Sequence, residues 1–138
     1  MRLPEDEARA RFTAARVARL ATADAHGRPH LVPVTFAAEG DSVYIAVDRK
    51  PKSSTALKRL SNIAENPHVA MLVDHYDDDW ATLWWVRADG TAQVITADTA
   101  QPLELLTARY HQYREAPPPG PVLAIHVDRW SGWAARDS

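Results

Sequence analysis

The stretch Tyr44-Ile45-Ala46-Val47-Asp48-Arg49-Lys50-Pro51-Lys52-Ser53-Ser54 decides the fold, because it carries a strand through a basic corner into a helix. Residues 43–47 are rich in β-branched and aromatic side chains, the composition of a strand. Pro51 stiffens the turn that follows. Over residues 53–66, Ala56, Leu57, Leu60, Ile63 and Ala64 recur at helical spacing, and Asn66-Pro67 ends the run. The first turn of such a helix has backbone N–H groups without partners. Together with the hydroxyls of Ser53 and Ser54 and the cations of Arg49, Lys50 and Lys52, they can converge on a phosphate. From Arg49 to Ala64 there are five basic residues and no acid. Arg49, Lys50 and Lys52 have nothing local to neutralise them and read as anion-binding. Lys58 and Arg59 fit a solvated helix face almost as well.

Upstream, residues 4–15 read as a helix opened by Pro4 and by Glu5, Asp6 and Glu7 at the positive end of its dipole. Residues 17–23, 31–37 and 43–47 read as strands, separated by His26-Gly27-Arg28-Pro29 and Glu39-Gly40-Asp41. Leu31-Val32-Pro33-Val34-Thr35-Phe36 is apolar on both faces, which predicts cover on both sides, while Pro33 marks an edge or a gap. Downstream, residues 69–73 form a strand leading into the acidic run Asp74–Asp79. A hairpin over 83–86 and 91–95 is expected to turn at Ala88-Asp89-Gly90. A third helix runs from Asp98 or Thr99 to Tyr113, with Asp98 and Gln101 spaced as a capping box. A proline connector precedes the last strand, 122–127, after which Trp130 and Trp133 pack the C-terminus. The expected class is mainly β (α+β), a barrel of about six or seven antiparallel strands with about three peripheral helices.

A length of 138 residues fits one domain, 1–138. With 46% apolar and 25% charged residues the composition is that of a soluble globular chain. The absence of cysteine excludes disulfides, thiolate nucleophiles and cysteine-held metal centres. A net charge of −2 argues against nucleic acid as partner, and no apolar run is long enough to span a membrane. The charged N-terminus lacks a signal-peptide core, so a cytoplasmic location is expected.

Other candidate chemistry is thin. His26 and His30 are separated by Gly27 and Pro29, so no helix presents them together as metal ligands. Asp74-His75-Tyr76-Asp77-Asp78-Asp79 lacks the glycine and the later glutamate of a calcium loop and reads as a solvated hairpin end; no metal site is expected. Hydrolase and nucleotide-cradling motifs are missing. The chain has five tryptophans, and Trp84 and Trp85, adjacent on a strand, must face opposite ways. One suits the core, the other a partner chain or a planar ligand.

In order and spacing these elements resemble the pyridoxamine-phosphate-oxidase-like family, and within it the actinobacterial branch of deazaflavin (coenzyme F420)-dependent enzymes. The resemblance spans nearly the whole chain. It is carried by Ala18-Arg19-Leu20-Ala21-Thr22, Leu31-Val32-Pro33-Val34-Thr35-Phe36, Arg49-Lys50-Pro51-Lys52, the helix ending at Asn66-Pro67, Leu72-Val73-Asp74-His75-Tyr76 with Asp79-Trp80, and Leu83-Trp84-Trp85-Val86-Arg87. It implies a split β-barrel that forms a homodimer with two cofactor sites in the seam. The ring system would lie against the backbone of Pro33, Val34 and Thr35 and of Ile45, Ala46 and Val47. The tail phosphate would meet Arg49, Lys50, Lys52 and Ser53, with Lys58 further along, and Trp85 or Trp84 of the other subunit would close the site. The implied activity is an oxidoreductase, F420-dependent or alternatively FMN-dependent, acting on a small molecule; a non-catalytic carrier is the rival. The sequence has no counterpart of the late arginine–histidine grip of pyridoxamine phosphate oxidase itself. No catalytic acid can be named, although Tyr44, His75 and Tyr76 are candidate proton donors.

Overall fold

Strand alternation becomes one antiparallel ladder in the computed structural model, which describes residues 1–47, 54–118 and 120–136, with backbone alone for 54–57. The strands are β1 (Ala18–Ala23), β2 (Pro29–Val34), β3 (Ala37–Glu39), β4 (Ser42–Ala46), β5 (His68–His75), β6 (Trp84–Ile95) and β7 (Val122–Ala134). Their order in the sheet is β2-β1-β5-β6-β7-β4-β3. Helices α1 (Glu5–Ala14), α2 (Ser54–Glu65), α3 (Ala100–Arg109) and α4 (His111–Glu115) lie around it. The two edge strands, β2 and β3, are joined by only Thr35 and Phe36, yet they form no ladder with each other. The sheet therefore curls into a split barrel, the predicted class.

Alternate side chains fill the interior: Leu20 of β1, Val43 and Ile45 of β4, Met71 and Val73 of β5, Val86 of β6 and Leu123 and Ile125 of β7 are all buried. Phe12 of α1 enters this core, its ring 4.9 Å from Phe36 and 5.2 Å from Trp130. Asn62 of α2, fully buried, donates to the Thr22 hydroxyl at 3.0 Å and so ties the helix to β1.

Three expectations are corrected. No turn forms at Ala88-Asp89-Gly90, because β6 runs straight through it as a strand of 12 residues. The register shifts between Asp89 and Gly90, which pair with Arg129 and Val127 and leave Asp128 of β7 as the extra residue of a bulge. Gly90 is required there: a Cβ would lie 2.1 Å from the His126 carbonyl oxygen. The last strand does not stop at Val127 but continues to Ala134, so Trp130 and Trp133 belong to it. The bulge moves the buried phase from Ile125 and Val127 to Trp130 and Ala134, and a strict period of two therefore breaks at Asp128. The third helix carries no capping box, since Asp98 sits at φ 56° and Gln101 donates instead to Glu39 at 2.9 Å. Tyr110 divides that helix into α3 and α4.

The break has a cause in the split. The Tyr110 hydroxyl accepts the Phe36 N–H at 3.0 Å and lies 2.7 Å from the Phe36 carbonyl and 2.9 Å from that of Arg16, one of which takes its proton. Arg109 donates to the Thr13 carbonyl at 2.6 Å and to that of Ala15, with its guanidinium 5.0 Å from the Phe36 ring. Partial burial pulls its pKa below the ordinary guanidinium value, Tyr110 opposing that and Arg16 adding to it. Among the described residues no helix is long and apolar enough to cross a membrane.

Candidate functional site

The outward rows of β2, β1, β5 and β6 carry less polar cover than a solvent-facing sheet needs. Cross-strand register aligns Pro33, Arg19, Leu72 and Arg87 in one row and Leu31, Ala21 and Ala70 in the next. The small side chains of Ala21 and Ala70 leave a depression walled by Leu31, Leu72, Trp85 and Arg87, a groove of about 660 Å³. Leu31 is 67% exposed and Trp133, beside Trp85 in the ladder, 39%. Arg87 is held by Asp89 at 2.9 Å, whereas Arg19 is exposed and makes no hydrogen bond or ion pair among the described residues. The groove is apolar, with Arg19 as an uncommitted cation and Asp74 as an uncommitted carboxylate among its described lining, a surface that suits a flat molecule or a second apolar face.

The stretch from Leu31 to Phe36 is therefore not covered on both sides within one chain. Pro33 and Thr35 are exposed, and β2 is an edge strand, as Pro33 requires. Val34, Ile45 and Val47 bury their side chains in the core and offer a ligand only backbone; Ala46 is half-buried. Thr35 sits at the split, its hydroxyl hydrogen-bonded with that of Tyr113 at 3.2 Å. Thr35 lies two residues before Ala37, which opens the β3–β4 ladder opposite Tyr44, the neighbour of Ile45. Trp85 lies apart from that group within the chain, on the outer groove in register with Asp74 and Trp133. Pro33 links the two places, since it shares the row of Arg19.

Arg49, Lys50, Lys52 and Ser53 lie outside the described residues. Lys58 is exposed, and its ammonium lies 3.8 Å from the Asp24 carboxylate. The basic run without local acid thus meets one in space. Asp24 accepts the backbone N–H groups of Arg28 and His26, each at 2.9 Å. The Arg28 N–H, then that of His26 and the charges of Lys58 and Arg28, outweigh burial and hold its carboxyl below the ordinary range. Of the candidate proton donors, His75 and Tyr76 line the end of the outer groove, with His75 Nε2 3.2 Å from Asp77. Tyr44 opens elsewhere, on the far flank of the sheet. Two aspartates of the acidic run turn to their own loop: Asp77 accepts from the Asp79 N–H at 2.8 Å and Asp79 from the Ala81 N–H at 3.1 Å. Arg19 was legible only as a member of a strand, since alternation separates two faces without saying which one lines a groove.

Over residues 4–134 the chain matches the family model of pyridoxamine 5'-phosphate oxidase. It belongs to the pyridoxamine 5'-phosphate oxidase family. Solved structures share the fold at low identity. An FAD-binding protein from Mesorhizobium loti is 21% identical with a TM-score of 0.75, over 96% of this chain and 95% of its own. The heme storage protein of Vibrio cholerae is 15% identical with a TM-score of 0.70, over 96% and 95%. An FAD-binding protein of Mycobacterium smegmatis is 15% identical with a TM-score of 0.65, over 96% of both chains. No curated protein sequence matches. Proteins that share this fold thus include two described as FAD-binding and one described as a heme storage protein.

Proposed function

We propose that this chain is a homodimeric oxidoreductase that holds coenzyme F420 in the seam between two barrels and reduces a small substrate. The observation that carries it is the apolar outer groove with Arg19 uncommitted at its floor, on a chain of this family. The residues fit an anionic, flat cofactor. Arg19, Arg49, Lys50 and Lys52 provide cations, Thr35 and Ser53 hydroxyls, and the edge of β2 around Pro33 an uncovered backbone. Bound there, the deazaflavin would supply hydride for a two-electron reduction of an activated C=C or C=N bond. The protein's part is to bind and orient: Val34, Ile45 and Val47 fix the backbone against which the ring rests, and Trp85 of the second copy excludes water.

A second copy is the natural cover for Leu31, Leu72, Trp85 and Trp133, and interfaces of this kind bury more than about 2,000 Å² in total. Sedimentation at micromolar concentration is expected to give a dimer. Leu31→Asp is expected to shift it to monomer with little change in the melting temperature, since Leu31 is mostly exposed within the chain. A monomeric native protein would remove the seam.

FMN is the alternative, and one observation favours it. Lys58 is engaged by Asp24, which takes one cation from the far end of the basic run, and FMN needs only a short anion site. Comparative titration with both cofactors separates the two. F420, with its longer anionic tail, is expected to bind more tightly and to weaken as salt rises from low to moderate concentration. Tighter FMN binding, or F420 binding indifferent to salt, would reverse the assignment. Relatives described as FAD-binding and heme-storage support a ligand-holding role, so a carrier is the rival to an enzyme. Turnover of an artificial acceptor by the reduced holoprotein distinguishes catalyst from carrier.

A further inference from the structure

The far flank of the barrel carries a second hollow, of about 700 Å³, that the proposed function does not use. Its floor is the outer face of β4, β7 and β6. Register places Tyr44 beside Ala124 and Ala124 beside Gln93; the next row is Ser42, His126 and Thr91. Ala124, between two long side chains, leaves a dip one residue wide. Helix α3, seated by buried Pro102 and Leu106, raises one wall.

The polar groups around this dip are uncommitted. Among the described residues the side chains of Ser42, Tyr44, Thr91, Gln93 and Asp98 make no hydrogen bond and no ion pair. Gln101 is engaged by Glu39 at 2.9 Å, and His126 stands 3.7 Å from Asp128. No lysine or arginine lines the hollow among the described residues, whereas Asp98 does. Hydroxyls and a primary amide both donate and accept; a carboxylate only accepts. An anion would meet Asp98 with no fixed cation to offset it. A purely apolar ligand would strip water from five polar groups and satisfy none. A flat ring carrying a donor and an acceptor answers both objections: the ring would lie over Ala124, and a carboxamide would pair reciprocally with the amide of Gln93.

We propose that this hollow is a binding site for an uncharged heteroaromatic amide, separate from the groove on β2, β1, β5 and β6 and independent of the cofactor assigned there. The test uses the full chain, nicotinamide as probe, and nicotinate as its anionic counterpart of the same shape, followed by backbone amide shifts. Nicotinamide is expected to give saturable shifts at Tyr44, Gln93 and Ala124, with nicotinate at least about tenfold weaker. Tyr44→Phe and Gln93→Ala are each expected to weaken nicotinamide about fivefold, the value of one hydrogen bond. Neither removes a contact the fold uses, so melting temperatures should hold. Shifts confined to Arg19 and Trp85, equal binding of nicotinate, the absence of saturable shifts, or undiminished affinity in both variants would overturn the site.

Discussion

Replacing Lys50 and Lys52 together with alanine is expected to weaken cofactor binding by a hundredfold or more while leaving the melting temperature unchanged. In the proposed site each ammonium would contribute a charge-assisted hydrogen bond to a phosphate oxygen, worth roughly 1.5–3 kcal/mol. Two such losses together come to about 3–6 kcal/mol, and each 1.4 kcal/mol is about a factor of ten. Fluorescence titration of native and double-mutant apoprotein measures the effect with F420 and with FMN. Arg19→Ala serves as the comparison, because Arg19 is the uncommitted cation of the outer groove. If the lysine pair changes nothing while Arg19→Ala abolishes binding, the phosphate lies in the groove and not at the start of α2.

A second large effect is expected at the bulge between β6 and β7. Gly90→Ala would drive a Cβ to 2.1 Å from the His126 carbonyl oxygen, with Val127 Cα at 3.0 Å, and both are backbone atoms in the longest ladder of the sheet. No rotamer relieves such a clash, so β6 and β7 must separate at the bulge. The expected loss is about 3 kcal/mol or more, the upper range for single substitutions. In a chain of this size that lowers Tm by about 10 °C. Gly27→Asn is the control: at Gly27 nothing lies within 4 Å and φ is +77°, a conformation asparagine tolerates. A melting curve for Gly90→Ala within a few degrees of native would mean that the bulge opens freely.

How far residues alone announce this fold can be argued from the same bulge. β1, β4 and β5 were readable because each keeps a period of two between clear turns, and α2 because its apolar face is regular. β6 and β7 were not. Asp89-Gly90 signals a hairpin when the chain reverses there, but glycine serves equally where another strand's backbone comes close, and only the partner strand distinguishes the cases. The extra residue Asp128 then broke the alternation that would have carried the last strand through Trp130 to Ala134. Tyr110 falls inside the helix expected from Asp98 or Thr99 to Tyr113, whereas its hydroxyl bonds across the split. For the sites, Val34, Ile45 and Val47 were placed as backbone by resemblance, and all three side chains are buried in the core. The uncommitted Arg19, the Lys58–Asp24 pair and the hollow beside Tyr44 depend on which strands become neighbours, a property no local pattern carries.

The position of β4 in the sheet also sets a sequence of events. β4 pairs with β3, its neighbour in the chain, and with β7, where Tyr44 meets Ala124 across more than half of the polypeptide. Closing so long a loop costs entropy that only the finished ladder returns, and ladders of this kind form late and slowly. Until β7 arrives, the β3–β4 hairpin is tied to β2 only through Thr35 and Phe36. If the proposed cofactor binds beside the split, its presence during refolding is expected to speed the final docking step and not the formation of the β1–β5–β6 half.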